Sequence, residues 1–204
     1  MKDKLISYLN QLNHVNEDFQ ELANYAKIHN VPIIKAEGLN ILKFLVIKNK
    51  AKRILEIGTA IGYSALSLAS VFEGQVDTIE RNPEMVKLAK ANIEKYGYTY
   101  RINLIEADAL LVDFSLLKDN YDLIFIDAAK GQYPKFFNMF APLLAHSGII
   151  VTDNIIFHES VLAETSSRLA KKIDEYNKFL SSHPEYRTIF LASGDGLAIT
   201  FKKD

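Results

Sequence analysis

Between residues 2 and 29, Leu5, Leu9, Leu12, Phe19, Leu22 and Ala26 recur at spacings of three and four, which predicts one amphipathic helix or a broken pair. Proline disfavours the helical conformation in the residue before it, so Val31-Pro32 closes this lead-in. Leu39, Leu42, Phe44, Leu45 and Val46 then predict a second helix ending near Lys50. From Arg53 the period changes. The short apolar runs RILEI, QVDTIE, INLIEA, YDLIFID and GIIVTD alternate with amphipathic stretches, the pattern of a parallel sheet with crossover helices on both faces. The helix after the second run carries its own punctuation: Asn82 as N-cap, Pro83 at the first helical position and Gly97 as terminator. Another helical pattern runs from about Ser160 to Leu180 and stops before His183-Pro184. Beyond it, YRTIFLA and LAITFKK flank Ser193-Gly194-Asp195-Gly196, the arrangement of a closing hairpin. The expectation is an α/β fold: a doubly wound, mostly parallel seven-stranded sheet with N-terminal helices and a final antiparallel strand. No repeat or linker interrupts it, so a single domain is expected over residues 1–204, with 1–50 a helical lead-in and 51–204 the core.

Composition narrows the chemistry. Hydrophobic residues at 49% and charged residues at 24% are the balance of a packed globular protein. Without cysteine, disulfides and thiolate chemistry are excluded, and a metal must be held by oxygen or by one of five histidines. His14, His29, His146 and His183 form no ligand spacing, and His158 is a lone loop histidine. The N-terminus lacks the apolar stretch of a signal peptide and no run of 18 apolar residues occurs, so a cytoplasmic protein with no membrane span is expected. A net charge of -1 gives no global field toward nucleic acid, although Lys48, Lys50, Lys52 and Arg53 form a local basic cluster.

The loop Glu56-Ile57-Gly58-Thr59-Ala60-Ile61-Gly62-Tyr63-Ser64 follows the first strand and opens a helix, where an open α/β sheet binds its ligand. Gly58 and Gly62 permit a tight turn and a close approach of backbone to ligand. The spacing is neither G-x-G-x-x-G nor a P-loop, which weakens both phosphate readings. Glu80 ends the second strand, placed to accept from ribose hydroxyls, and Asp108-Ala109 follows the third, placed to meet an adenine. Each alone has an ordinary explanation as a turn, a solvated strand end or a cap. In strand order they describe an adenosine pocket without a phosphate.

Asp127 ends the fourth strand and Asp153-Asn154 the fifth, two adjacent tips facing the same crevice. Two carboxylates and an amide carbonyl suit a hard cation such as Mg²⁺, which leaves coordination positions open for substrate oxygens. Singly, each is more often a cap or a turn; together they point to a metal site. Lys130, three residues past Asp127, is a candidate general base. Two readings of another class use the same sheet: a non-catalytic adenosine-binding module, and a nicotinamide oxidoreductase, which the glycine spacing disfavours.

EIGTAIGYS, Glu80, EADA, the FIDAAK run with Asp127 and Lys130, Asp153-Asn154 and Gly194-Asp195-Gly196 together resemble the cation-dependent O-methyltransferases, the family of the catechol and caffeoyl-CoA enzymes. The resemblance extends from about Pro32 to the C-terminus. It implies a class I, Rossmann-like methyltransferase fold, S-adenosylmethionine as methyl donor and a homodimer. It further implies that Ser64, Glu80, Asp108, Ala109 and Asp127 line the donor pocket with the Glu56–Gly62 loop, and that Ile34 closes over it. Where the catechol enzymes carry a bulky aromatic before the lysine, this chain has Ala129, and it has no tryptophan. The compact form, with PIIKAEG and RILEIGTAIGYSAL, is similar to bacterial members that methylate 5-hydroxyuridine in tRNA. The anticodon loop is therefore the expected acceptor, with a small catechol or an acyl-CoA as alternatives; unpaired anticodon bases reach such a pocket without duplex opening.

Overall fold

The computed structural model describes residues 2–12, 19–156 and 167–204; His14 and His158 fall outside them. The lead-in is a broken pair, α1 (Lys2–Leu12) and α2 (Gln20–His29), followed by α3 (Ala36–Lys48). α2 ends in a left-handed residue, Asn30 (φ 53°), and α3 is followed by another at Lys50 (φ 50°). The alternating part then runs β1 (Arg53–Ile57), α4 (Tyr63–Ala69), β2 (Gln75–Glu80), α5 (Pro83–Lys95), β3 (Ile102–Glu106), β4 (Tyr121–Ile126), α6 (Tyr133–Phe140), β5 (Leu144–Asp153) and α7 (Arg168–Ser181). The hairpin β6 (Tyr186–Leu191) and β7 (Leu197–Lys202) closes the sheet.

Local chemistry fixes several boundaries. Asn82 Oδ1 accepts from the Glu84 N–H at 3.0 Å at the start of α5. At its end Gly97 N donates to Glu94 O and Tyr98 N to Ile93 O, the paired bonds that left-handed Gly97 (φ 78°) makes possible. α7 starts at Arg168, with Ser167 as N-cap accepting from Ala170 N. The Ser160–Ser166 part of its predicted span lies in the undescribed segment.

The strand order is β3-β2-β1-β4-β5-β7-β6, so the chain reverses direction across the sheet between β1 and β4. Only β7 is antiparallel to its neighbours β5 and β6. β5 begins four residues earlier than the GIIVTD run, at Leu144, with a register irregularity opposite Tyr121 and Leu123. Its first half, LAHS, carries no alternation, which is why the pattern of polar and apolar positions does not reveal it. Two cores sandwich the sheet: one joins α2–α4 to Ile54, Phe125 and Val151, and the other joins α6 and α7 to Leu55, Ile124 and Ile150. Alternate residues of each central strand thus face opposite helical layers, and every central strand tip opens on one edge. Among the described residues no helix is long and apolar enough to cross a membrane.

Candidate active site

A cavity of about 580 Å³ lies at the carboxyl ends of β1 to β4, with Gly58, Glu80, Asp108, Asp127 and Lys130 in its wall. It sits at the switch point of strand order, where β1 turns one way and β4 the other.

The glycine loop forms its floor. Gly58 has φ 102°, and a Cβ there would stand 2.2 Å from the Asp127 carbonyl oxygen; no side chain fits between the tips of β1 and β4. Ala60 is also left-handed (φ 46°), and its N–H reaches Glu80 Oε2 at 2.9 Å. Gly62 lies outside the cavity wall. Its backbone is left-handed (φ 85°), which favours glycine, and a Cβ there would meet Ala89 of α5 at 3.6 Å, an ordinary contact distance. Asn92 of α5 closes the same turn by donating to Ile61 O at 2.8 Å.

Behind the floor, Glu56 is fully buried. Thr78 Oγ1 donates to it at 2.5 Å and lies 2.5 Å from Thr59 Oγ1. A hydroxyl has one proton to give, so with Glu56 ionised the relay runs from Thr59 to Thr78 to Glu56. Burial drives the Glu56 carboxyl up to about 7, and the Asp127 and Glu80 charges add to the rise, while the Ser64 and Thr78 hydroxyls pull it down. Ser64 is in the wall itself.

Glu80 accepts three backbone N–H bonds: Arg81 (2.9 Å) and Asn82 (2.8 Å) on Oε1, and Ala60 on Oε2. A carboxylate has about four acceptor positions, so one remains toward the cavity. Asp108 Oδ1 accepts from Leu110 N at 2.9 Å and Oδ2 faces Arg81 Nη1 at 3.2 Å. The Leu110 N–H, and after it Arg81, hold its carboxyl below the usual range. Ala109 lines the same wall.

The lead-in reaches the cavity one step earlier in the chain than expected. Val31, Pro32 and Ile33 form that wall, whereas Ile34 is buried behind them, packed on Gly38 and not lining the cavity. His29, stacked on Tyr25 with centroids 4.1 Å apart, also lines it. No spacing in the sequence marks His29, since its role comes from where α2 ends. The basic cluster Lys48, Lys50, Lys52 and Arg53 occupies the amino end of β1, the sheet edge opposite the cavity.

At the neighbouring tips of β4 and β5, Asp127, Asp153 and Asn154 converge. Asn154 Nδ2 lies 2.8 Å from Asp153 Oδ2 and 3.3 Å from Asp127 Oδ1, donating to both. Asn154 is left-handed (φ 62°), which turns its side chain back toward the carboxylates. Burial raises both carboxyls well above the ordinary range; the negative charge of Asp127 raises Asp153 further, and Asp195 acts on both in the same sense. Lys130 opposes the rise at each. No group of three or more His, Cys, Asp and Glu with metal-binding geometry occurs among the described residues, so the asparagine has to complete the set. A buried and a half-buried carboxylate held together, with an amide whose oxygen can be turned into the place of its nitrogen, fit a hard divalent cation. Lys130 opens a short helical turn (Lys130–Gln132) between Asp127 and α6, and Ala129 before it is exposed.

A family model described as O-methyltransferase matches residues 7–203. A flavonoid 3',5'-methyltransferase of Vitis vinifera is 30% identical over 203 residues, covering 93% of this chain and 85% of the relative. A Staphylococcus aureus structure solved as a candidate caffeoyl-CoA O-methyltransferase superposes with a TM-score of 0.90 at 40% identity, over 99% of both chains. The SAH-bound methyltransferase PaMTH1 of Podospora anserina gives a TM-score of 0.89 at 25% identity, over 100% of this chain and 95% of that one.

Proposed function

The chain belongs to the O-methyltransferase family, and on that premise we propose that it moves the methyl group of S-adenosylmethionine to a hydroxyl lying beside a second oxygen, in a reaction that needs a divalent cation such as Mg²⁺. The observation that carries the cation is the pair of mutually repelling carboxylates, half-buried Asp127 and buried Asp153, with Asn154 between them, at the edge of the cavity. The donor is supported by that cavity and by the Podospora relative, solved with the demethylated product.

In this reading Glu80 takes the ribose hydroxyls, Asp108 and Ala109 meet the adenine, and the floor of Gly58 and Ser64 holds the amino-acid end of the donor. Asp127, Asp153 and Asn154 would hold a cation such as Mg²⁺, whose chemistry when bound would be to favour the ionised form of the acceptor hydroxyl. Lys130, in its neutral amine form, takes the hydroxyl proton onto Nζ. An oxygen–carbon bond then forms as the carbon–sulfur bond breaks, leaving its electron pair on sulfur. Alignment of the two reactants supplies on the order of 7 to 11 kcal/mol of barrier reduction.

The acceptor proposed is 5-hydroxyuridine in the tRNA anticodon loop, giving 5-methoxyuridine, because its 4-carbonyl and 5-hydroxyl form the oxygen pair. Exposed Ala129 supports it, since no bulky side chain narrows the approach there. The grape relative favours a second reading, a small vicinal diphenol. The reading includes a homodimer, supported by exposed Phe44 and Ile47 on α3, and sedimentation velocity measures it. Purified protein with Mg²⁺ and methyl-labelled S-adenosylmethionine is incubated with hypomodified tRNA and, in parallel, with a simple catechol. Label in tRNA is expected; label in catechol alone overturns the acceptor.

A further inference from the structure

The structure assigns Tyr133 and Asn177 as positioning residues that set the conformation of Asn154; the inference rests on the cation reading above.

The two peptide planes flanking the Asn154 Cα determine its φ and ψ, and each is planar and rigid. The plane before it ends in the Asp153 carbonyl, which accepts from the Tyr133 hydroxyl at 2.9 Å. The plane after it carries the Ile155 N–H, which donates to Gly196 O at 3.2 Å. One plane further on, the Ile155 carbonyl accepts from Asn177 Nδ2 at 2.9 Å. One residue earlier, Thr152 Oγ1 lies 2.9 Å from the Tyr176 hydroxyl. The left-handed turn at Asn154 is thus held on both sides by groups from α6, α7 and the turn between β6 and β7.

Tyr133 and Tyr176 are fully buried, with ring centroids 5.3 Å apart. Asn177 is the more telling of the three. Its Oδ1 is shielded from solvent and has no hydrogen-bond partner among the described residues. An unanswered buried acceptor destabilises a fold, so what this amide contributes is its one bond to Ile155. Tyr133 also begins α6 directly after the Lys130–Gln132 turn, so seven consecutive residues from Asp127 supply one carboxylate, the candidate base and the bond that fixes the other carboxylate's strand. Groups behind a metal's ligands orient them, and their removal commonly weakens metal binding about 10- to 100-fold.

The test measures Mn²⁺ affinity by electron paramagnetic resonance, and S-adenosylmethionine affinity by calorimetry, for wild type, Tyr133→Phe and Asn177→Ala. The expected result is Mn²⁺ binding weakened about tenfold or more in both variants, with S-adenosylmethionine affinity unchanged within about twofold and methyl transfer recovering as Mn²⁺ is raised. Wild-type Mn²⁺ affinity in both variants overturns the assignment and leaves the cation reading standing. A parallel loss of S-adenosylmethionine binding also overturns it, because the residues would then hold the fold and not the ligand. Wild-type protein that binds no Mn²⁺ removes the cation reading and this inference together.

Discussion

At the tips of β2 and β3 the carboxylates are already answered by the chain's own N–H groups, whereas at the tips of β4 and β5 two carboxylates face each other across a single amide. Glu80 takes three backbone donors and Asp108 takes one with an arginine beside it. Asp153 is 3% exposed and meets the like charge of Asp127. Carboxylates of the first kind are satisfied by these donors and hold a spare lone pair for neutral donors such as hydroxyls. Crowded ones of the second kind leave a deficit of positive charge that only a proton or a cation fills. A hydrogen-bonding half in the cavity wall therefore adjoins an electrostatic half, of which Asp127 lines the wall and Asp153 and Asn154 lie behind it, and the two should fail independently.

The severest test is Asp153→Ala, or EDTA. Methyl transfer is expected to fall by about a thousandfold or more, since the proposed cation would contribute several kcal/mol. Donor affinity by equilibrium dialysis stays measurable; full activity without metal would break the division. Glu80→Gln tests the other half. Replacing one oxygen by an amide nitrogen opposes the N–H groups now pointing at it, so donor affinity is expected to drop about 10- to 100-fold. Mn²⁺ affinity should not move.

A smaller effect separates the halves by pH. Asp153 and Asp127 have raised folded-state pKa values, so above pH ~4, the unfolded carboxyl value, the folded state without cation binds more protons than the unfolded one. Stability without metal is therefore full below that value and declines as pH rises through the raised values. Added Mg²⁺ should raise the thermal midpoint by a few °C, and more at pH 8 than at pH 5.5. Equal gains at both pH values would deny the link. The smallest expected effect is that of reversing Lys48 and Lys50. They lie at the far end of β1, ~17 Å away at about 3.3 Å per residue, beyond the screening length of about 8 Å, so methyl transfer to tRNA should change less than about twofold. A large fall would move the nucleic-acid surface to that edge.

How much of this can be read without coordinates differs between the two halves. Gly58, Glu80, Asp108 and Asp127 sit at strand ends, and strand ends follow from alternation and turn residues, so the sequence places them at the cavity. The Asn82–Gly97 helix is legible for the same reason, each boundary being a local bond. Side-chain direction in irregular backbone is not local. That is why Ile34 sits in the core while Val31, Pro32 and Ile33 form the wall, and why Gly62 lies outside it. Tyr133, Tyr176 and Asn177 look like ordinary core-facing helix positions. Their significance comes from which strand they meet, and no spacing encodes it.

The place of β7 between β5 and β6 orders events in time. Asp153 pairs with Leu197, and Ile155 and Ile156 rest on the carbonyls of Gly196 and Asp195. A growing chain that has reached only α7 already contains every strand bordering the cavity, but its fifth strand is still an unpaired edge and the turn at Asn154 lacks one of its two anchors. The wall of the cavity is therefore complete in sequence before the turn at Asn154 is, and a chain cut short before residue 195 would keep the strands that border the cavity while losing the partners of Ile155 and Ile156.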